Sequence, residues 1–339
     1  MSEITDFAVG DKLYEFIKKI SKFDKRSLFA KLSFAMKVLI TGGTGLIGEY
    51  LGKKLQIKGY EVAILSRKKN TDTAFQAYRW DPYGNSMENE AIETSDYIVH
   101  LAGANLADKR WTDERKKEII DSRVKTAGLL FETAKKTGKK LKAFISASGS
   151  NYYGMVTSDK IFNEDDPPGN DFMGETCIKW EHSANRFRQL GARVVVLRQG
   201  AVFSTRGGAL PKMNLPVRLG VAAPVGSGKQ YMPWIHIDDI CRIYIRAIED
   251  DQMEGPYNAA SPEHATNKDI MKTLARVQDK PFWAPNAPSA AMKLAFGEMA
   301  QVLLKGSRIS AEKLISAGYE FRFPELEGAL ANLMKKSGD

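Results

Sequence analysis

Cysteine, histidine and long apolar runs are all scarce in this chain. Only two cysteines, Cys177 and Cys241, occur among 339 residues. They lie far apart without CxxC spacing, which suggests neither a disulfide framework nor a zinc knuckle. A reducing, cytoplasmic setting is expected. No apolar stretch reaches the roughly 18 to 20 residues of a membrane span. The N-terminus lacks the charged-then-apolar layout of a signal peptide. With four histidines, none at ligand spacing from a cysteine, a metal centre is not expected. Internal repeats and low-complexity tracts are also absent. The net charge of +9 is spread along the chain rather than gathered in one stripe, so nucleic acid is not an expected partner. The expected partner is a small-molecule substrate, and the oligomeric state stays open.

What is present is enough apolar material for one large domain or two that share a core, since 43% of the residues are hydrophobic. Residues 1–35 are lysine-rich, and KLYEFIKKISKF carries apolar residues at helical spacing. They form a tail of uncertain order, read either as a membrane-surface helix or as a loose extension ahead of Met36. From Met36, the strand-like runs MKVLI, EVAIL, DYIVHLA, KAFISAS and RVVVLR alternate with helix-length segments such as DERKKEIIDSRVKTAGLLFETAKKT. That rhythm means βαβ units. The expected fold is α/β, a Rossmann-type doubly wound parallel sheet over 36–200. A smaller C-terminal substrate lobe follows over 201–339, with about 255–262 returning to the first domain.

TGGTGLIG, residues 41–48, follows the first strand directly and leads into a helix. Gly42 permits the tight turn, Gly45 lets the backbone approach a pyrophosphate, and Gly48 lets helix and strand pack closely. Thr44, Leu46 and Ile47 complete the loop. At the end of the second strand, where an NAD site places an acid for the ribose 2′-hydroxyl, the chain reads LSRKK, with Ser66, Arg67 and Lys68. Cations stand where the carboxylate is missing, so NADP(H) is the expected cofactor. GSGKQ at 226–230 is no ATP loop, because Ala223 replaces its leading glycine and Gln230 its Ser or Thr.

TGGTGLIG, HLAGA (100–104), SASGSNYYG (146–154), the Glu and Pro of NEDDPP (163–168) and WIHIDD (234–239) occur in this order. Together they resemble the extended short-chain dehydrogenase/reductase superfamily. DKRWTDERKKEIIDSRV, GGALPKM, GSGKQYMPWIHIDD and ATNKDI are similar to its atypical branch of NAD-dependent epimerase family proteins, which carry their own C-terminal segment, here about 285–334. The resemblance covers 36–334. It implies a nicotinamide cofactor, with Leu101, Ala102 and Gly103 passing near the nicotinamide ribose, and a Ser, Tyr and Lys that manage the proton accompanying hydride transfer. Ser148 matches the serine. Counting back from Glu181 puts Met173 at the Tyr position and Cys177 at the Lys position. Where sugar-nucleotide members place an Arg, this chain has Met232. Arg123 replaces an Asn.

Reduction of a carbonyl by hydride leaves an alkoxide, so a proton donor must stand within hydrogen-bond reach. With the usual Tyr absent, Tyr152 and Tyr153 are the candidate donors beside Ser148; packing in the loop is the alternative for each. Cys177 is read as a small buried hydrophobe filling the space of the absent lysine, or as a thiolate activated by the helix start. Arg123 is read as a cation reaching a cofactor or substrate phosphate, or as a helix-surface charge. His100 and His236 are read as structural, with Asp238 and Asp239 capping the helix that follows. Lys212, Arg218, Lys229, Gln230 and Trp234 are read as ligand contacts or loop scaffold. The expected activity is an NADP(H)-dependent, epimerase-like oxidoreductase acting on a small carbonyl or alcohol. The alternative is a degenerate NADP(H)-binding sensor or scaffold.

Overall fold

Where β-branched and aliphatic residues run without interruption, buried strands form. The computed structural model describes residues 36–68 and 72–335; the expectations for 1–35 lie outside the described residues. The first half of the chain alternates strand and helix. In order come β1 (Lys37–Thr41), α1 (Leu46–Ile57), β2 (Glu61–Ser66), β3 (Gln76–Asp81), β4 (Ser86–Met87), α2 (Glu90–Glu93), β5 (Tyr97–His100), α3 (Asp113–Thr137), β6 (Ala143–Gly149), β7 (Ile161–Phe162), α4 (Phe172–Asn185) and β8 (Arg193–Gln199). The second half holds β9 (Ala201–Ser204), β10 (Gly207–Gly208), α5 (Ala209–Arg218), β11 (Trp234–His236), α6 (Ile237–Glu249), β12 (Gly255–Ala259) and α7 (Asn267–Arg276), then α8 (Ser289–Phe296), α9 (Ala300–Leu304), β13 (Arg308–Ile309), α10 (Glu312–Ser316) and α11 (Leu326–Lys335).

Eight strands join one sheet in the order β12-β8-β6-β5-β1-β2-β3-β4. All neighbours are parallel except the antiparallel β3–β4 pair. Side chains alternate across each strand, so one strand feeds two cores. Val38 and Ile40 meet Leu51 and Leu55 of α1 and Ile243 of α6 on one face. Leu39 meets Leu129 and Leu130 of α3 and Phe187 on the other. The doubly wound expectation is met. β3, which the reading of apolar runs passed over, is an outer strand whose QAYRWD buries only Tyr78 and Trp80.

Strand order reverses at β1, with β2 on one side and β5 on the other. Ligands of open α/β sheets bind beyond the strand ends at such a switch point.

Two small sheets, β10-β9-β11 and β13-β7, lie apart from the main one. β12 pairs with β8 in the main sheet, and α6 packs against α1. The cap of α6 is His236, whose Nδ1 accepts from the Asp238 amide at 3.0 Å. That corrects the reading of Asp238 and Asp239 as caps. Asp238 pairs with Lys54 at 2.6 Å. Asp239, fully buried, accepts from the amides of Arg322 (2.8 Å) and Phe323 (2.9 Å) and from the Tyr319 hydroxyl (3.1 Å). One carboxylate thus fastens the C-terminal segment to α6, the helix packed against α1. Among the described residues no helix is long and apolar enough to cross a membrane.

Two backbone amides, of Arg322 and Phe323, lose their acceptor when Asp239 is truncated, whereas the Tyr319 hydroxyl keeps the Asp239 backbone carbonyl at 3.0 Å. Leaving buried donors unmet costs about 1–3 kcal/mol each, so Asp239→Ala is expected to lower unfolding stability by about 2 kcal/mol or more, read from urea denaturation followed by tryptophan fluorescence. A loss below about 1 kcal/mol would show that the segment is held by its apolar contacts alone.

Candidate active site

The glycine turn after β1 is built by steric exclusion. Gly42 has φ +68°, and a Cβ there would stand 3.1 Å from the Leu101 carbonyl beyond β5. A Cβ at Gly48 would fall 2.4 Å from the Gly42 carbonyl oxygen. Gly45 is exposed and N-caps α1 with no side-chain hydrogen bond to the cap among the described residues. The first amides of a helix have no partner within it, and a helix start of this kind suits an anion. Thr44 is exposed, and Leu46 and Ile47 are half-buried around the same turn. Thr41, which the motif reading left aside, joins the two strand ends. Its hydroxyl oxygen accepts from the amides of Leu101 (3.1 Å) and Ala102 (3.0 Å) and lies 2.8 Å from His100 Nδ1. With its oxygen so engaged, Thr41 donates to Nδ1. His100 then carries its proton on Nε2, 3.3 Å from the Arg123 carbonyl oxygen. Burial pushes its pKa down to about 4; the ring is a neutral spacer, as expected.

At the end of β2, Ser66 is half-buried, and Arg67 and Lys68 are exposed. Ser66 Oγ accepts from the Lys68 amide at 3.1 Å. No acid follows in the chain before the three undescribed residues 69–71.

Beyond β6 lies a buried polar cluster that the sequence reading did not assemble. Arg198 of β8 forms a two-pronged pair with Glu181 of α4, Nε to Oε1 and Nη2 to Oε2, both at 2.9 Å. Arg198 Nη1 donates to Tyr153 Oη and to the Glu164 carbonyl oxygen, each at 3.0 Å. Tyr153 in turn donates to Asn258 Oδ1 at 2.8 Å, and the Asn258 amide donates to Glu164 Oε1 at 2.7 Å. Burial opposes the Arg198 charge, but the Glu181 carboxylate overrides it and holds the pKa above the usual arginine value. Ser148 belongs to the same cluster, its hydroxyl donating to Glu181 Oε1 at 2.8 Å. One signal was legible: in RVVVLRQ, a lone arginine follows a run of buried aliphatics and calls for a carboxylate.

These contacts divide the candidate residues. Tyr153 is corrected from a proton donor to a structural phenol. It is 2% exposed and bonded on both sides, and burial raises its pKa to about 12. Tyr152 is half-buried, with its ring 3.4 Å from the Arg198 guanidinium carbon and its hydroxyl making no hydrogen bond among the described residues. Met173 and Cys177 are buried. Cys177 Sγ–H points to the Gly149 carbonyl oxygen at 3.9 Å, and burial pushes the thiol up to about 11. Filler, rather than activated thiolate, describes it. Asp171 caps α4 through the amides of Met173 and Gly174 and also accepts from the Met155 amide.

Arg123 is buried on α3, and its guanidinium lies against the exposed Gly103. It is no surface charge. Gln230 and Trp234 turn out to be scaffold. The Gln230 amide donates to the carbonyls of Val225 and Leu303, and the buried Trp234 indole donates to that of Glu263. Lys212, Arg218 and Lys229 are exposed, and Met232 is half-buried.

With a phosphate turn at the switch point and a polar cluster beyond β6, known proteins bear on the chain. The model of the NAD dependent epimerase/dehydratase family matches residues 38–260, and that of a domain of unknown function matches 287–333. The chain belongs to the NAD dependent epimerase/dehydratase family. The human epimerase family protein SDR39U1 is 36% identical over 303 residues, 88% of this chain and 100% of the relative. An epimerase family protein of Staphylococcus epidermidis is 35% identical over 305 residues, 88% of this chain and 99% of the relative. The solved structure of human SDR39U1 (isoform 2) with NADPH matches with a TM-score of 0.78 at 34% identity, covering 88% of this chain and 99% of that one. A Thermotoga maritima UDP-glucose 4-epimerase shares the fold, with a TM-score of 0.71 at 20% identity over 90% of this chain and 100% of that one. The expected C-terminal boundary near 285 agrees with the second match, so the segment that Asp239 fastens is a recurring part of such chains.

A neutral, buried His100 makes the fold acid-sensitive. Its folded pKa of about 4 lies below the unfolded value of about 6.5, so its contribution is intact above pH 6.5 and is lost as pH falls toward 4. The loss is expected to approach about 3 kcal/mol. Urea midpoints at pH 7, 5.5 and 4.5 measure it. His100→Gln should flatten the slope whatever its stability at pH 7, and an unchanged slope would mean that other groups carry the acid sensitivity.

Proposed function

We propose that the chain is an NADP(H)-dependent oxidoreductase acting on a small carbonyl or alcohol. One observation carries the reading: a phosphate turn at the sheet's switch point is followed, at the end of β2, by Ser66, Arg67 and Lys68 with no carboxylate beside them. In this reading the open amides of α1 at Gly45 face the pyrophosphate, with Gly42, Gly48, Thr44, Leu46 and Ile47 shaping the turn. Ser66 and Arg67 take the 2′-phosphate, and Leu101, Ala102 and Gly103 line the nicotinamide ribose. The NADPH in the human relative's structure supports it. When bound, the nicotinamide supplies or accepts hydride.

The chain's own part is to orient the substrate oxygen and to move its proton. The Ser148 hydrogen is committed to Glu181, so Ser148 presents lone pairs. It orients an alcohol by accepting its O–H, and it polarises a carbonyl only after turning away from Glu181. Tyr152 has an uncommitted hydroxyl and is the proton carrier. Met232, in place of the arginine that pairs with a sugar-nucleotide diphosphate, argues against epimerisation of sugar nucleotides. A second reading, a catalytically silent NADP(H)-binding sensor or scaffold, draws on the buried Met173 and Cys177 and on the locked Tyr153.

Titration with NADPH and NADH, followed by nicotinamide fluorescence, tests the cofactor assignment. NADPH should bind at least about tenfold tighter, and Arg67→Ala should remove most of that preference, as loss of a charge-assisted phosphate contact implies. Equal affinities would refute it. Once a carbonyl screen yields turnover, Tyr152→Phe should cut kcat by about 10²-fold or more while Tyr153→Phe mainly lowers stability. Full turnover in Tyr152→Phe would remove Tyr152 from the chemistry.

A further inference from the structure

Three arginines are buried among the described residues: Arg115, Arg123 and Arg198. Two have carboxylates. Arg198 holds Glu181 at 2.9 Å and Arg115 holds Glu118 at 2.6 Å. Arg123 has none. Its Nη1 donates to the Ile119 carbonyl oxygen at 2.8 Å and, at 3.4 Å, reaches Ser122 Oγ; its Nη2 donates to the Ala104 carbonyl oxygen at 3.2 Å. A guanidinium has five N–H groups, so two remain, one of them on Nε. Arg115 Nε is sealed away from solvent without a partner, whereas Arg123 Nε is not among such sealed donors.

The guanidinium is held flat in a slot. A Cβ at Gly103 would sit 3.0 to 3.3 Å from its carbon and both terminal nitrogens, so the glycine is what allows the plane to lie against the loop. The Trp180 ring lies 4.8 Å from its carbon. Burial lowers the Arg123 pKa only to about 10, leaving it charged at neutral pH. Its electrostatic neighbour Cys177 is no counterion, because the buried thiol stays protonated. An uncompensated buried cation is costly, by several kcal/mol in the usual case. Its place beside Gly103, beyond β5, and beside Cys177, which adjoins Gly149 and Ser148 at the end of β6, is the place where a substrate would stand.

We propose that Arg123 is the anion-recognising group of the substrate site and that the substrate is a small carbonyl or alcohol bearing a carboxylate. The proposal rests on the oxidoreductase reading and names its substrate class. A single unbalanced charge with two N–H groups to spare suits a planar monoanion, since a guanidinium edge matches a carboxylate with two parallel hydrogen bonds. A phosphate dianion would call for a second free cation, and Arg115 is already paired. Arg123 supplies orientation and charge balance; it moves no proton.

The probe is oxamate, a carboxylate beside an amide carbonyl that hydride does not reduce, with methyl oxamate as the neutral control. Both are titrated into the full chain with and without NADPH, with the thermal midpoint and nicotinamide fluorescence as readouts. Oxamate should raise the midpoint and methyl oxamate should not. Arg123→Gln should weaken oxamate at least about tenfold while changing NADPH affinity less than about threefold. Arg123→Lys, which keeps the charge but loses the fork, should fall between; should the Gln variant fail to fold, equal oxamate affinity in the Lys variant would overturn the assignment. So would equal responses to oxamate and its ester, or unchanged oxamate binding in Arg123→Gln. A parallel tenfold loss of NADPH and oxamate in Arg123→Gln would give the anion to the cofactor instead. If the wild type binds no NADPH, the oxidoreductase reading falls, and the oxamate titration of the free protein still decides whether Arg123 holds an anion.

Discussion

The pairing of Arg198 with Glu181 organises the buried polar cluster beyond β6. It joins a strand, β8, to a helix, α4, through two hydrogen bonds of 2.9 Å. Everything polar nearby is positioned against it: Ser148 by donating to Glu181, Tyr153 by accepting from Arg198, Glu164 through its carbonyl, and Asn258 through Tyr153. A buried ion pair of this kind is a weak source of net stability, but removing one partner strands the other and costs about 3–5 kcal/mol. Its effect is on specificity of arrangement. It decides which hydroxyls are spoken for and, by subtraction, leaves Tyr152 free.

A contrast in charge balance follows. Around Arg198 the charges close on themselves within the protein. Around Arg123 no described residue closes the charge, although that arginine is buried too. The same helix α3 also holds Arg115, and both arginines donate to carbonyls of the loop after β5, at Ala104 and Asn105. That loop is therefore clamped by cations from one side and held at the other by Thr41. Backbone groups of Leu101, Ala102, Ala104 and Asn105 in that loop thus have fixed partners.

Much of the fold was legible because its signals are local. β1, β2, β5, β6 and β8 coincide within a residue or two with the apolar runs, and α3 spans the helical segment read from periodicity. Gly42 makes the tight turn and Gly48 the close packing that their spacing implies, since steric exclusion at a turn depends on only a few neighbouring residues. β3 was passed over because an outer strand buries too little to leave an apolar run. The cap of α6 was misassigned because a histidine cap and an aspartate cap differ only in which side chain turns back.

Read without the fold, the chain shows the strand–glycine turn–helix at 37–57, the lack of an acid between Ser66 and Lys68, and Met173 and Cys177 where the resemblance places the usual Tyr and Lys. Each of these is a matter of residue type at a short, fixed spacing. Only the tertiary fold shows that the Tyr153 phenol is consumed, that the Ser148 proton faces Glu181, that Asp239 fastens the C-terminal segment, and that Arg123 is buried with no carboxylate beside it among the described residues. Those facts join residues 33 to 105 positions apart, or depend on a partner missing among the described residues. Hydrogen-bond donors and charges are satisfied through space, and the chain order carries no record of which ones meet.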